Sequence, residues 1–386
     1  MIRCIKCNEF SSISKSGIVR GKQRYYCKNC ILHFTFKKAD DVEETKKQAV
    51  TIKDVAKVLG ISTSTISRAL NDSNEIHSAT KKIILEKINA LGYQPSLIAK
   101  SLASHHTYTI GIIVPELIGN YYINLINGAT EVLNKEGYKV FIMQSNESYH
   151  NEVSYTHALI SSRVEGIIAA STYKTKDYSH FEVAKKNNIP VVFFSRINDK
   201  VKAPKINVDD YKGAVCAVEH LIEKGYKKIG YMGYSPDFYI GQLRYQGYID
   251  TMKNHKLNIN KKWIVLSDDI ITESSNYIHG ILNHKNRPDA IFAMNDHIGI
   301  HIIQKANALK VKIPGELGVI GFSDDVISSY ISPSLSTMRQ PSREIGMEAA
   351  KKLLFSLKNK NNKSFEDNSL TIFNAELVAR SSTIKP

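Results

Sequence analysis

The stretch TIKDVAKVLGISTSTISRALN, residues 51–71, contains two short helical patterns separated by a glycine. Ile52, Val55, Ala56 and Leu59 recur at helical spacing behind Thr51, a residue type suited to an N-cap. Gly60 ends that run, and Ser62 caps a second helix whose inner face is Ile66, Ala69 and Leu70. The pattern predicts a helix-turn-helix. Its second helix leaves Thr63, Ser64, Ser67 and Arg68 outside, hydroxyls and a guanidinium that can enter a major groove and reach base edges or phosphates. By themselves these residues also suit a plain helical hairpin with solvated hydroxyls, so the choice rests on the flanking sequence.

The chain carries 52 Lys and Arg against 37 Asp and Glu, a formal charge of +15. Residues 1–105 hold 18 of those basic side chains and 9 of the acidic ones, which puts a polyanionic partner at the N-terminal end. No apolar leader follows Met1, and no uninterrupted apolar run of about 18 residues occurs, so the expectation is a cytoplasmic protein without a membrane span.

Upstream, CIKCNEFSSISKSGIVRGKQRYYCKNC (residues 4–30) sets Cys4, Cys7, Cys27 and Cys30 at C-x2-C-x19-C-x2-C spacing. In a reducing compartment such pairs read as metal ligands, here a closed four-thiolate zinc site with no open position, hence structural Zn2+. A redox dithiol would require a thioredoxin-like βαβ pattern around one pair, which is lacking. Lone Cys216, in GAVCAVEHLI, reads as a small core residue.

Downstream of Tyr108, short β-branched runs such as TIGIIVP, EGIIAAS, IPVVFFSR, DAIFAMND and LGVIGFSDD alternate with amphipathic stretches. That is the pattern of βαβ units and parallel sheets covered on both faces. Ligands of such sheets bind at the carboxyl ends of strands, where Gln144, Ser145, Ser195, Arg196, Asn295, Asp296 and Ser323 to Asp325 fall.

TIKDVAKVLGISTSTISRALN, then LGYQPSLIAKSLAS and TIGIIVPE, followed by VVFFSRIN, INVDDYKGA, HLIEKGYKKIGYMG, LRYQGYIDTM, PDAIFAMND and ISPSLSTMRQP, resembles the lactose/galactose repressor (LacI/GalR) family from Thr51 to the end. The resemblance implies a multidomain chain: a helix-turn-helix domain over 51–95, a hinge helix and linker over 96–107, and a two-lobed α/β core over 108–386 similar to periplasmic binding proteins. Residues 1–38 resemble the zinc ribbons of insertion-sequence transposases through GKQRYYCKNCILHF, with a charged linker over 39–50.

Position by position, the family implies base reading by Thr63 and Ser64. Ser62, Thr65, Ser67, Arg68 and Asn71 support or contact the backbone and flanking bases. Thr51 and Thr80 match phosphate contacts. Ala99 approaches the minor groove, and Leu102 wedges into the central operator step. His77 stands where the family usually has serine. In the core, Arg244 would hold ligand hydroxyls or carboxylates, Asn120, Tyr121 and Tyr122 match an Asn-x-Phe-Phe-like loop, and Ser195, Arg196, Asn295, Asp296, Ser323, Asp324 and Gln340 complete the effector candidates.

Serine at 195 and 323, where many members have aspartate, leaves the effector open between a saccharide, the preferred reading, and a purine or other small metabolite. Arg20, Lys22, Arg24 and Lys28 are the candidate phosphate contacts of the ribbon, which a protein-contacting or merely stabilising role would leave solvated. The expected protein is thus a ligand-responsive regulator, a repressor by preference, binding a palindromic double-stranded operator as a homodimer. A solute receptor and a metal-dependent DNA recombinase are the competing readings. The pairs Asp209-Asp210, Asp268-Asp269 and Asp324-Asp325 would serve the recombinase, but no further catalytic motif accompanies them.

Overall fold

The computed structural model describes residues 3–4, 6–7, 9–19, 22–35, 50–70, 75–94, 106–196, 200–235, 239–267, 270–359 and 367–384, except for the side chains of Lys22 and of 271–274. Most of the expected linker and hinge helix lies outside them. The chain divides into two compact units, Met1–Ala99 and Lys100–Pro386.

In the first unit, strands β1 (Ile13–Val19), β2 (Lys22–Cys27) and β3 (Leu32–Thr35) form an antiparallel sheet in that order. Cys4, Cys27 and Phe34 are its buried centre. Three helices follow: α1 (Ile52–Leu59), α2 (Thr63–Leu70) and α3 (Ser78–Leu91). The Asp54 carboxylate accepts the Thr51 backbone N–H at 2.9 Å, which fixes the start of α1. Gly60 ends that helix at φ +65°, a left-handed conformation that a side chain would oppose. Val55, Ile66, Ala69, Ile84, Ile88 and Tyr93 close a core between the three helices. At the α3 N-terminus, His77 does cap, its Nδ1 accepting the Ala79 N–H at 3.4 Å.

The second unit is two α/β lobes. The first begins with β4 (Thr109–Val114), α4 (Asn120–Lys135), β5 (Lys139–Gln144), α5 (Tyr149–Ser161), β6 (Gly166–Ala169), α6 (Ser179–Lys186), β7 (Val191–Phe194) and β8 (Lys205–Val208). The second holds α7 (Asp210–Glu223), β9 (Ile229–Gly233), α8 (Tyr239–Asn254), β10 (Ile264–Leu266), α9 (Ile270–Leu282), β11 (Ala290–Ala293), α10 (Asp296–Ala308), β12 (Gly318–Ser323), α11 (Val326–Tyr330) and β13 (Ser336–Arg339). The chain then returns through α12 (Ser342–Lys358) and β14 (Leu370–Phe373) to the first lobe and ends in the second with β15 (Glu376–Val378).

The first sheet runs β14-β8-β7-β6-β4-β5, all parallel, and the second β10-β9-β11-β12-β13-β15, parallel except for β15. Central strands are buried along their whole length, as their continuous apolar runs require. β5 is an edge strand instead, with Phe141 and Ile142 exposed. The lobes are joined by three crossings, at Asp209, between Arg339 and Ser342, and between Phe373 and Glu376, and the Asp209 N–H donates to the Phe373 carbonyl at 2.8 Å. In the first lobe α4 and α12 approach so closely that a Cβ at Gly128 or Gly346 would fall on the carbonyl of Arg343 or Leu125. Cys216 packs, half-buried, against the core of the second lobe.

Candidate functional site

Packing of Ile66 and Ala69 into the small helical core turns Ser62, Thr63, Ser64, Ser67 and Arg68 to solvent, with Thr65 half-buried. Ser62 Oγ accepts the Thr65 N–H at 3.2 Å and lies 2.7 Å from Ser64 Oγ, so the entry to α2 is held by its own hydroxyls. Arg68 extends outward to Glu75 at 3.2 Å, an exposed pair that a phosphate can replace at little cost. Thr51 and Thr80 are exposed in the first turns of α1 and α3, where backbone N–H groups suit phosphate oxygens. Arg20, Asn71, Ala99, Leu102 and the Lys22 side chain lie outside the described residues, as do Asp268 and Asp269.

The four Sγ atoms of Cys4, Cys7, Cys27 and Cys30 lie within 4.8 Å of one another, with Cys7 and Cys27 at 3.7 Å. Tight turns bring them there: the Cys4 N–H donates to the Glu9 carbonyl, and the Lys6 N–H points at Cys4 Sγ at 3.4 Å. Backbone N–H groups of Cys7 and Lys6 lower the Cys4 thiol to about 6, whereas the neighbouring Cys7, then burial, push Cys30 up to about 12. Four thiolates this close repel, so the last protons leave only when a cation takes their place. Arg24 is half-buried in β2 and Lys28 exposed in the turn that follows it.

In the core, Asn120, Tyr121, Ser323, Asp324 and Gln340 line one cavity of about 320 Å³, together with Asn124 and Arg339. Tyr121, in the first turn of α4, is half-buried. Tyr122, edge-on to it at 5.1 Å, is buried against Phe194 and belongs to the wall. Ser195 is buried at the end of β7 with φ +62°, beside Tyr121 and Tyr122. Gln340 donates to Ser323 Oγ at 3.3 Å, and Asp324 is ion-paired to Arg339 and Arg380.

Arg244 is buried on α8. Its Nε and Nη2 donate to Asp210 Oδ1 at 2.9 and 2.7 Å, its Nη1 donates to the Met294 carbonyl, and its guanidinium lies 3.6 Å from the Phe322 ring centroid. These bonds occupy three of its five N–H donors. Burial pushes the Asp210 pKa up and Arg244 opposes that shift.

Arg196 is likewise engaged, by Glu147 at 2.7 Å. Asn295 caps α10 by accepting the Ile298 N–H at 3.0 Å. Asp296 requires a correction: its oxygens accept the Asp325 N–H at 2.8 Å, Ser328 Oγ at 2.7 Å and Thr337 Oγ1, so it braces the loop after β12 from below instead of offering a carboxylate to a ligand.

Reading strand ends did not find the rest of the cleft. Tyr173 of the first lobe stacks on Tyr234 of the second at 6.1 Å and 19°. Glu147 holds both Arg196 and the Tyr173 N–H, the latter at 3.0 Å. Glu116 is half-buried beside them, its pKa raised first by burial and opposed by Arg196. Gly119, at φ +72°, lets the first lobe approach so closely that a Cβ there would fall on the Asp325 carboxylate of the second. The residues ahead of α5 and α6 carried no periodic pattern that pointed inward.

A helix-turn-helix with an open polar face, followed by a two-lobed core with a polar and aromatic cleft, defines a DNA-binding regulator with a ligand-binding core. Comparison with known proteins agrees. Residues 51–96 match the family of bacterial regulatory proteins, lacI family, and residues 218–383 match the periplasmic binding protein-like domain. The chain is 29% identical over 310 residues to the HTH-type transcriptional repressor PurR of Aliivibrio salmonicida, covering 80% of this chain and 93% of that one.

Among solved structures, the lac repressor dimer bound to operator and the anti-inducer ONPF is similar at 20% identity and TM-score 0.75, covering 88% of this chain and 100% of that one. A complex of the transcriptional regulator CelR with cellobiose is similar at 21% identity and TM-score 0.65, covering 86% and 99%. This chain is a DNA-binding transcriptional regulator, with a lacI-type DNA-binding segment ahead of a periplasmic-binding-protein-like core. Among the described residues, no helix is long and apolar enough to cross a membrane.

Proposed function

We propose that the protein is a repressor that binds a pseudo-palindromic operator as a homodimer through α2 and takes a saccharide in the cleft of its core. The observation that carries the ligand class is the cavity beside Tyr121, where amide and hydroxyl side chains surround an aromatic face and the Asp324 carboxylate is already neutralised by Arg339 and Arg380. Hydroxyl-rich ligands suit such a lining, because each amide both donates and accepts and the ring covers an apolar sugar face. Its volume lies in the range of small-molecule sites, roughly 300–1,000 Å³. The cellobiose held by the similar regulator supports this class.

A ligand seated between the lobes adds its own contacts to the Tyr173–Tyr234 stack and the Gly119–Asp325 approach and so favours the closed cleft. Lobe closure then shifts the population of DNA-competent dimers. A thermal-shift screen of the full chain against mono- and disaccharides and nucleobases tests the ligand class. Stabilisation by saccharides alone supports it, and stabilisation by nucleobases alone replaces it with a purine-type effector.

The four cysteines fit a structural zinc ion: tetrahedral Zn–S bonds of about 2.3 Å put sulfurs roughly 3.8 Å apart, close to the Cys7–Cys27 separation of 3.7 Å. Zinc would cross-link the two turns and leave no coordination position open. Metal analysis of the purified chain should return one zinc per polypeptide, and none for Cys27→Ser with Cys30→Ser.

A further inference from the structure

Residues 1–38 carry nine Lys and Arg and a single acid, Glu9, whose carboxylate is taken by Asn29 Nδ2 at 2.7 Å. Among the described residues, Arg3, Lys6, Lys15, Arg24 and Lys28 form no ion pair. Four thiolates and one zinc ion would bring −2, so the loaded module remains at about +6.

The strand register sorts this small sheet into two faces, because directly opposed residues share one. Ile13, Cys27 and Leu32, with Tyr25 and Phe34, occupy the cysteine side. Ser14, Tyr26 and His33, with Arg24 and Thr35, occupy the other. That second face bears no acid. The Tyr26 and His33 rings lie 4.6 Å apart, His33 Nδ1 is 2.8 Å from Ser16 Oγ, and His33 and Thr35 are exposed. A flat surface of hydroxyls, rings and an unpaired guanidinium matches the sugar-phosphate backbone in charge and donor chemistry. Of the exposed apolar residues, Ile18, opposite Gln23, falls on the cysteine side and Ile31 in the turn after Cys30, whereas Val19, opposite Lys22, stands at the far end of the second face.

We propose that the Arg24–Tyr26–His33 face, with Lys28 in the adjoining turn, is a second DNA-contacting surface that grips the phosphate backbone of double-stranded DNA irrespective of sequence. The regulator then holds DNA in two ways, one reading bases through α2 and one adding affinity that falls steeply with salt. The proposal rests on the cysteines holding zinc, so metal content is read beside DNA binding.

The test uses the zinc-loaded full chain and a fluorescent duplex of about 40 base pairs with arbitrary sequence, titrated by anisotropy between roughly 50 and 200 mM KCl. Each lost phosphate contact reduces the slope of log K against log salt by about 0.9. Arg24→Ala with Lys28→Ala should therefore flatten the slope by about 1–2 and weaken binding several-fold at low salt, with one zinc retained.

An unchanged slope with zinc retained overturns the proposal and leaves the face to a protein partner. If the pair of alanines releases zinc, Thr35→Glu alters one exposed position of the same face. With metal retained it should flatten the slope, and an unchanged slope again overturns the idea. Arg68→Ala distinguishes failure here from failure of the helix-turn-helix, since it removes base-specific binding while leaving the ribbon's share of the slope.

Discussion

Arg244 donates twice to one oxygen of Asp210, from Nε at 2.9 Å and from Nη2 at 2.7 Å, where both side chains are closed to water. The other Asp210 oxygen, Oδ2, is buried and makes no hydrogen bond within bonding geometry. The pair therefore stands at the cleft with donor and acceptor capacity to spare. Arg244→Ala leaves the Asp210 carboxylate buried and unpaired, which costs about 3–5 kcal/mol. Urea unfolding of the full chain should show that loss in the core transition, and adding Asp210→Ala should recover part of it. Effector binding should vanish in both variants.

The Tyr173–Tyr234 stack is the aromatic bridge between the lobes. Tyr234→Ala removes about 0.5–1.5 kcal/mol of ring contact across the cleft. Effector dissociation should speed up by about 2- to 10-fold with little change in association, as stopped-flow fluorescence would record.

In the first lobe, Gly346→Ala places a methyl on the Leu125 carbonyl and forces α4 from α12. Overpacking of this kind costs about 1–3 kcal/mol. The melting temperature of the core should fall, while Gly280→Ala, in an exposed helix position where nothing lies within 4 Å, should raise it slightly.

The proposed zinc site carries its own pH dependence. Cys30, held up to about 12, keeps its proton at neutral pH until metal arrives. Loading the metal-free chain should release protons, and the affinity for zinc should fall as pH is lowered. Chelation should unfold the three-stranded sheet and spare the helical and core transitions in circular dichroism. Loss of all three together would contradict the division of the chain.

The two helices were legible from short-range periodicity, which turned Ile66 and Ala69 inward and left Thr63, Ser64 and Arg68 outside, while their DNA-reading role rested on the flanking sequence. The parallel strands were legible from continuous apolar runs, and their carboxyl ends placed Tyr121, Ser323 and Gln340 near one cavity. KVFIMQ has the apolar content of an inner strand, yet β5 sits at a sheet edge with Phe141 exposed. Pairings across the fold left no local trace. Asp210 read as half of an acidic pair and not as the partner of Arg244, 34 residues away. Asp296 read as a ligand carboxylate because no periodicity reveals that Ser328, Thr337 and the Asp325 N–H converge on it.

Arg68→Ala removes the one cation on the exposed face of α2. Operator binding should be abolished, with saccharide-induced thermal stabilisation unchanged. Equal loss of both would mean that the variant acts through the fold.

The most direct measurement is the affinity of the full chain for a duplex selected from a random pool, determined with and without the saccharide that stabilises the core. Coupling between cleft and α2 predicts a pseudo-palindromic duplex whose affinity changes by about 5- to 150-fold on ligand addition. A bound ligand that leaves DNA affinity unchanged, or divalent-metal-dependent cleavage of the duplex, would contradict the account.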